Sequence, residues 1–461
     1  MNILLPIFLF ILLQSNNVFS RDPRIACDDK THDYDLRDEM CPVRDQGDTG
    51  WCYAYAAADQ LGHYLLKTGQ NSKLGCIDTV SPASLANDFN KDILSKKRIQ
   101  EIQKGIAEAE NKHLAYLNFK KKHPILNAIG LNKFKDFMDY DWRKDSDNIL
   151  RIDGGIAAEV LKNVKKIGYC TELQISSQFI PLLPSKIDEL YKDIFQYKLF
   201  NNHHCAAIQA AKDIFPQVTV KNIIDILNSS PIEDVLGDLQ AKACQKRSII
   251  KRPYKITKIV SCPLPYIPGE LERSIYVKRS DDKNKPDCEI TPQESKSKGV
   301  DRLKEIDLQL KKGNTVGIGY NSHFLSNKMI PIEKQTFTDT KDFHYAPHAS
   351  LIVGKKRNCI TGKEMYIIRN SWGKSCTPAM KYTPIPKKVK ECRSLWDRLL
   401  KENNNELNEQ QIVQIDNCEK NSRIESYGNP NVICENGNYY VTKSELDRNL
   451  YSVNSIEQSN D

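Results

Sequence analysis

The chain has 461 residues, of which 40% are hydrophobic and 27% charged. That is enough apolar material for a packed core and excludes a wholly disordered chain. Lys and Arg number 67 against 59 Asp and Glu, a net charge of +8; spread over this length, so mild a balance points to no nucleic-acid partner. Gly and Pro number 21 each, which excludes collagen-like and Pro-rich classes, and no apolar run approaches the ~20 residues of a membrane-spanning helix.

Ile3 to Leu13 is a short apolar stretch, of signal-peptide length and too short to span a bilayer. Val18-Phe19-Ser20 puts modest residues at the −3 and −1 positions, so residues 1–20 are predicted to be a cleaved signal peptide. Fourteen cysteines without a Cys-x-x-Cys pair suit an oxidising compartment and no zinc ribbon. The expected location is secreted: extracellular, periplasmic or a lysosome-like lumen.

Asp48-Thr49-Gly50 is turn chemistry. Ala54, Ala57, Ala58, Leu61 and Leu65 then recur at helical spacing, which predicts a helix starting near Trp51 and Cys52. Ser81-Pro82 reads as a second helix start. Residues 92–123 carry an apolar stripe among Lys, Glu and Gln, predicting a long charged amphipathic helix. Asp153-Gly154-Gly155 is a turn opening a third helix with Ala157, Val160, Leu161 and Val164 on one face. Residues 186–246 are predicted mostly helical and 262–300 a loop. Strand-like runs follow at Thr315–Tyr320, Ala349–Gly354 and Glu364–Asn370. Residues 375–433 are polar and Cys-bearing, and Asn438–Thr442 is a last strand before a tail. Helices in front and strands behind make an α+β pattern.

A thiol becomes a nucleophile when a helix N-terminus or a nearby imidazolium lowers its pKa. Cys52 sits at the predicted helix start. Gln46, six residues earlier, is placed to offer its amide, with the Cys52 backbone N–H, to a developing oxyanion. Gln46-Gly47-Asp48-Thr49-Gly50-Trp51-Cys52-Tyr53-Ala54-Tyr55 resembles the active-site loop of papain-like cysteine proteases. Tyr34-Asp35-Leu36-Arg37 and Ser81-Pro82-Ala83-Ser84-Leu85 resemble the mature start and second helix of that family. His348-Ala349-Ser350-Leu351-Ile352-Val353-Gly354 and Tyr366-Ile367-Ile368-Arg369-Asn370-Ser371-Trp372-Gly373 are similar to its His and Asn-Ser-Trp-Gly strands, in the right order.

The resemblance implies a two-lobed fold, with a helical N-terminal lobe and an antiparallel β C-terminal lobe, across residues 21–461. Helical insertions are expected near 87–150 and 179–300, and a further insertion near 375–433. It implies Cys52 as nucleophile, His348 as proton carrier, Asn370 as the group orienting the imidazole, and Trp372 as its cover. Gly154 and Gly155 are expected to let a peptide backbone approach closely. A family disulfide is missing at both of its positions, Thr49 and Ile152. Cys376 and Cys434 are expected to bridge the base of the last insertion. Only residues 21–33 precede the mature-like start, too few to cover a cleft, so either the enzyme is made active or an insertion blocks it, with 92–123 the candidate cover. His344 and His348 are four apart, but Pro347 intervenes, which argues against a helical metal pair. His203-His204-Cys205 is read as surface plus a disulfide cysteine.

The expected function is endopeptidase hydrolysis through a thioacyl-enzyme. Acyl or peptidyl transfer at the same site, and a silent binding protein on a protease scaffold, are the alternatives. The expectations include no metal, no cofactor, no nucleic acid, no membrane anchor, a protein or peptide substrate, and a monomer.

Overall fold

The computed structural model describes residues 34–70 except 48 and the segments 79–93, 155–177, 187–260 (without 201–203 and 233), 302–325, 347–374 and 431–459, with a few short stretches elsewhere. The expected signal peptide, most of the helix at 92–123, the loop at 262–300, Gly154 and most of 375–433 lie outside the described residues.

Helix α1 (Cys52–Lys67) is built from good helix formers, Ala54, Ala56, Ala57, Ala58, Leu61 and Leu65. It is buried nearly all round, as a helix inside a core must be. Its far end is fastened by Lys67, whose Nζ donates to the carbonyls of Lys312 and Gly313. Around it lie α2 (Pro82–Ile93) and α3 (Ala157–Ile167). Next come four helices in the middle of the chain: α4 (Ile187–Phe200), α5 (His204–Ile214), α6 (Val220–Ser229) and α7 (Val235–Ala243). Leu190, Ile194, Ala211, Ile223, Leu227 and Leu239 from these four join the same apolar cluster as α1. Among the described residues no helix is long and apolar enough to cross a membrane.

The strands are β1 (Tyr34–Asp35), β2 (Tyr254–Val260), β3 (Val316–Asn321), β4 (Pro347–Arg357), β5 (Glu364–Arg369), β6 (Val432–Glu435), β7 (Asn438–Thr442) and β8 (Leu450–Gln458). They form an antiparallel sheet in the order β2-β8-β3-β4-β5-β7-β6, with β1 paired to β4. Side chains alternate across a strand, and both faces here are buried. Ala349, Leu351 and Val353 of β4 and Ile367 of β5 join the helical cluster. Ile352 and Ile368 join a second cluster with Leu303, Ile306 and Leu310 of α8 (Arg302–Lys311). A short helix α9 (Lys443–Asn449) leads from β7 into β8. The chain is therefore α+β, a sheet with one core on each face.

Four strands, β1, β2, β6 and β8, are absent from the expectation. The C-terminal tail is β8, an interior strand, and the segment read as an insertion supplies β2, which pairs β8 from Tyr254 to Val260. The polar Asn454 hid β8 from its sequence pattern. Buried Gln60 of α1 explains it: Asn454 Nδ2 donates to Gln60 Oε1 at 2.8 Å, and Gln60 Nε2 donates to the Asn454 carbonyl at 3.1 Å. Nor is the 21–33 segment merely a leader to the fold, because Arg24 and Ile25 are buried and the Arg24 carbonyl accepts from Cys359 N–H.

Described disulfides join Cys41–Cys76, Cys170–Cys244 and Cys376–Cys434. The last is the expected bridge at the base of the 375–433 insertion. Cys52 and Cys205 keep their thiols, and Cys205 is exposed, which corrects its reading as a disulfide cysteine.

Candidate active site

Cys52 is the first residue of α1, directly after the N-cap Trp51. First-turn N–H groups and the positive end of the helix dipole gather there, and both favour a thiolate. The thiol is half-buried and unbridged. Trp51 is buried and meets Tyr191 of α4 edge-on, with ring centroids 6.1 Å apart.

The loop before Cys52 is stitched to the segment after β5. Gln46 N–H donates to the Ser371 carbonyl at 2.7 Å, and Gly373 N–H to the Arg44 carbonyl at 2.9 Å. Ser371 Oγ donates to Gln46 Oε1 at 2.5 Å. Gln46 Nε2 donates to the Thr49 carbonyl at 2.5 Å, which fixes the amide, since a flip would set oxygen against oxygen. Asn370 immediately precedes Ser371, so this stitching sets Asn370 beside the loop that leads into α1.

Asn370 is buried, and its Oδ1 accepts from Ser371 N–H at 2.7 Å. A backbone N–H can only donate, so the atom facing it is the oxygen. The same oxygen lies 2.7 Å from His348 Nε2. In the neutral ring Nε2 must then carry the proton, which leaves the lone pair on Nδ1. Trp372 lies against the ring at 4.6 Å between centroids and 35° between planes, and meets Tyr439 edge-on. Burial pushes the His348 pKa down to about 4, against the upward pull of its bond to Asn370.

Two further residues complete the surroundings. Tyr320 of β3 stands directly opposite His348 of β4 in the register, its ring edge-on to the imidazole at 5.7 Å. A shift in the β3–β8 register between Gly319 and Tyr320 lies at this position, the kind of irregularity that re-aims a side chain. Burial holds the Tyr320 pKa well above its usual value; the Ser350 hydrogen bond opposes this, while Tyr439 and then Cys52 add to it. Cys52 packs at the margin of the helical cluster and Trp372 at the margin of the other.

The structure therefore groups Gln46, His348, Asn370 and Trp372, and Cys52 starts the helix into which the Gln46 loop leads. Gly155 is buried, and a Cβ there would lie 2.6 Å from Tyr53 and 2.7 Å from Phe89. What the structure shows for it is a packing requirement beneath α1.

Sequence reasoning missed Asp59, Ser350 and Tyr320. Asp59 joins Arg369 Nε at 2.7 Å and Arg44 Nε at 3.4 Å, so one carboxylate holds the residue before Asn370 and the segment leading to Gln46. The usable signals were spacing: Asp59 follows Cys52 by two helical turns, and Ser350 shares a strand face with His348.

No protein-family profile and no curated protein sequence matches the chain. Among solved structures it is similar to xylellain, a cysteine protease from Xylella fastidiosa, at 12% identity and a TM-score of 0.35, covering 93% of this chain and 86% of that one. It is also similar to PepW from Lactobacillus rhamnosis HN001, at 13% identity and a TM-score of 0.32, covering 90% of this chain and 79% of that one. At these values neither likeness carries the assignment, which rests on the site.

Proposed function

We propose that the chain is a papain-like cysteine peptidase that hydrolyses peptide bonds through a thioacyl-enzyme on Cys52. The observation that carries this reading is the buried His348 Nε2–Asn370 Oδ1 bond of 2.7 Å beneath Trp372. It assigns the ring proton to Nε2 and turns Nδ1 into the base. Nδ1 takes the proton from the Cys52 thiol, and the thiolate attacks the scissile carbonyl carbon. The imidazolium then gives that proton to the leaving amine, and water releases the acid from the thioester. The oxyanion is met by the Cys52 backbone N–H and by the second N–H of the Gln46 amide, whose first is held by Thr49. The disulfides support an oxidising compartment, and export through residues 1–20 fits it.

The experiment is labelling of the full chain by a thiol-reactive peptidyl epoxide, mapped by mass spectrometry. Stoichiometric labelling of Cys52, lost in His348→Ala, is expected, as is a loss of hydrolysis on the order of 10⁵-fold in Cys52→Ala. Labelling that appears only after limited proteolysis identifies a zymogen closed by an insertion. Labelling in neither state refutes the peptidase reading.

A further inference from the structure

Asn370 is held by only one end of its side-chain amide. Oδ1 receives His348 Nε2 at 2.7 Å, Ser371 N–H at 2.7 Å and Ser350 Oγ at 3.4 Å. Nδ2 is buried with no hydrogen-bond partner. What opposes a turnover of the amide is therefore the convergence of donors on Oδ1.

Ser350 is one of those donors, and its hydroxyl has a defined direction. Oδ1 can only accept, so the Ser350 proton points at it. The Tyr320 hydroxyl, 3.0 Å from Ser350 Oγ, must then donate to that oxygen. The hydrogen bonds run from Tyr320 to Ser350 to Asn370, and Asn370 receives His348 from the other side. Both hydroxyl-bearing residues are buried. Strand geometry sets the arrangement: Ser350 lies two residues after His348 on one face of β4, and Tyr320 is the cross-strand partner of His348. Tyr320 thus touches the imidazole with its ring edge and holds, through Ser350, the amide that orients the imidazole.

We infer that Ser350 and Tyr320 are positioning residues for the Cys52–His348 pair. They keep Asn370 Oδ1 turned to His348 and so keep the Nδ1 lone pair available to Cys52. This rests on the peptidase reading proposed above, and the test separates the two.

The test is the rate of Cys52 alkylation by iodoacetamide against pH in the full chain, read by mass spectrometry. Exposed, unbridged Cys205 serves as the internal reference thiol. Among the described residues, the titratable groups are Tyr320 of β3, which faces His348, Tyr439 of β7, which meets Trp372 on that ring, and Cys52 of α1 and Tyr439 again as charges acting on Tyr320. The variants are Ser350→Ala and Ser350→Ala/Tyr320→Phe. The single change strands a buried phenol and loses stability; the double change removes both partners and recovers much of it. Expected is a wild-type Cys52 that outpaces Cys205 below pH 8. In both variants the Cys52 rate falls about tenfold and the pH profile shifts, although the double variant melts near the wild type. Wild-type activation with an unchanged profile in both variants overturns the inference and leaves the peptidase reading standing. So does a rate loss in the single variant that the double variant restores along with stability. A wild-type Cys52 no faster than Cys205 both before and after limited proteolysis removes the peptidase reading, and the inference with it.

Discussion

His348 has exchanged water for one hydrogen bond, and its burial dominates its titration. Its pKa is pushed down to about 4 by burial, with Asn370 pulling the other way, whereas an unfolded histidine titrates at about 6.5. Between those values the unfolded chain binds a proton that the folded chain does not. Stability must then rise with pH through this window, and fall as pH drops from 6.5 to 4. The change is worth about 3 kcal/mol, since each tenfold difference in proton affinity between the two states is worth about 1.4 kcal/mol. The Cys52→Ala variant displays this contribution cleanly, since no thiolate is there to favour the imidazolium. Denaturant unfolding of Cys52→Ala from pH 4 to 7 should show the slope, and Cys52→Ala/His348→Gln should lose the His348 share of it while keeping that of His63, which burial also pushes down. A wild-type chain with a shallower slope than Cys52→Ala would report the thiolate–imidazolium pair directly, because the thiolate raises the folded pKa of His348.

Helix α1 carries both Cys52 and the clamp that holds the segments bearing Gln46 and Asn370. Asp59 follows Cys52 by seven residues, close to two turns, so both project from one side of the helix. Its two oxygens meet Arg369 Nε at 2.7 Å and Arg44 Nε at 3.4 Å, and both arginines are buried. Arg369 also donates to the Pro42 carbonyl and Arg44 to the Val80 carbonyl. Asp59→Asn keeps the shape but leaves buried Arg369 short of a countercharge and Arg44 to Glu172 alone, at 3.5 Å, at a cost of about 3–5 kcal/mol. Chemical denaturation should show that loss, together with slower labelling at Cys52 as the 44–46 and 369–371 segments relax. A loss below about 1 kcal/mol would show the pair behaving as a surface contact. The contrast between α1 and β8 shows what sequence can carry. The start of α1, the helix at Pro82, the strands at 316–321 and 438–442 and the grouping of His348 with Asn370 were legible because local propensity and tertiary role agree there. β8 was not, because Asn454 is polar until Gln60 is known to meet it, and the Asp59 clamp was not, because its partners lie far away in sequence.

At the scale of the whole molecule, the helices from 187 to 243 are no appendage. Leu190, Ile194, Ala211, Leu227 and Leu239 belong to the cluster that contains Ala57 and Leu61 of α1. Arg247 grips Asp88 of α2 with two hydrogen bonds, and Gln240 of α7 donates to the same carboxylate. Tyr191 touches Trp51, the residue before Cys52. Cys170–Cys244 closes this whole segment into one loop, its ends 74 positions apart in sequence. Chain-entropy arguments give such a closure about 4 kcal/mol. Cys170→Ala/Cys244→Ala should therefore lower the unfolding free energy by about 2–4 kcal/mol. The shared core makes a second claim: unfolding should stay a single transition, with Cys52 labelling and far-ultraviolet circular dichroism lost together. Two separated transitions, with labelling surviving the first, would mean that the four helices fold as an independent unit and that Tyr191 is dispensable to the position of Trp51.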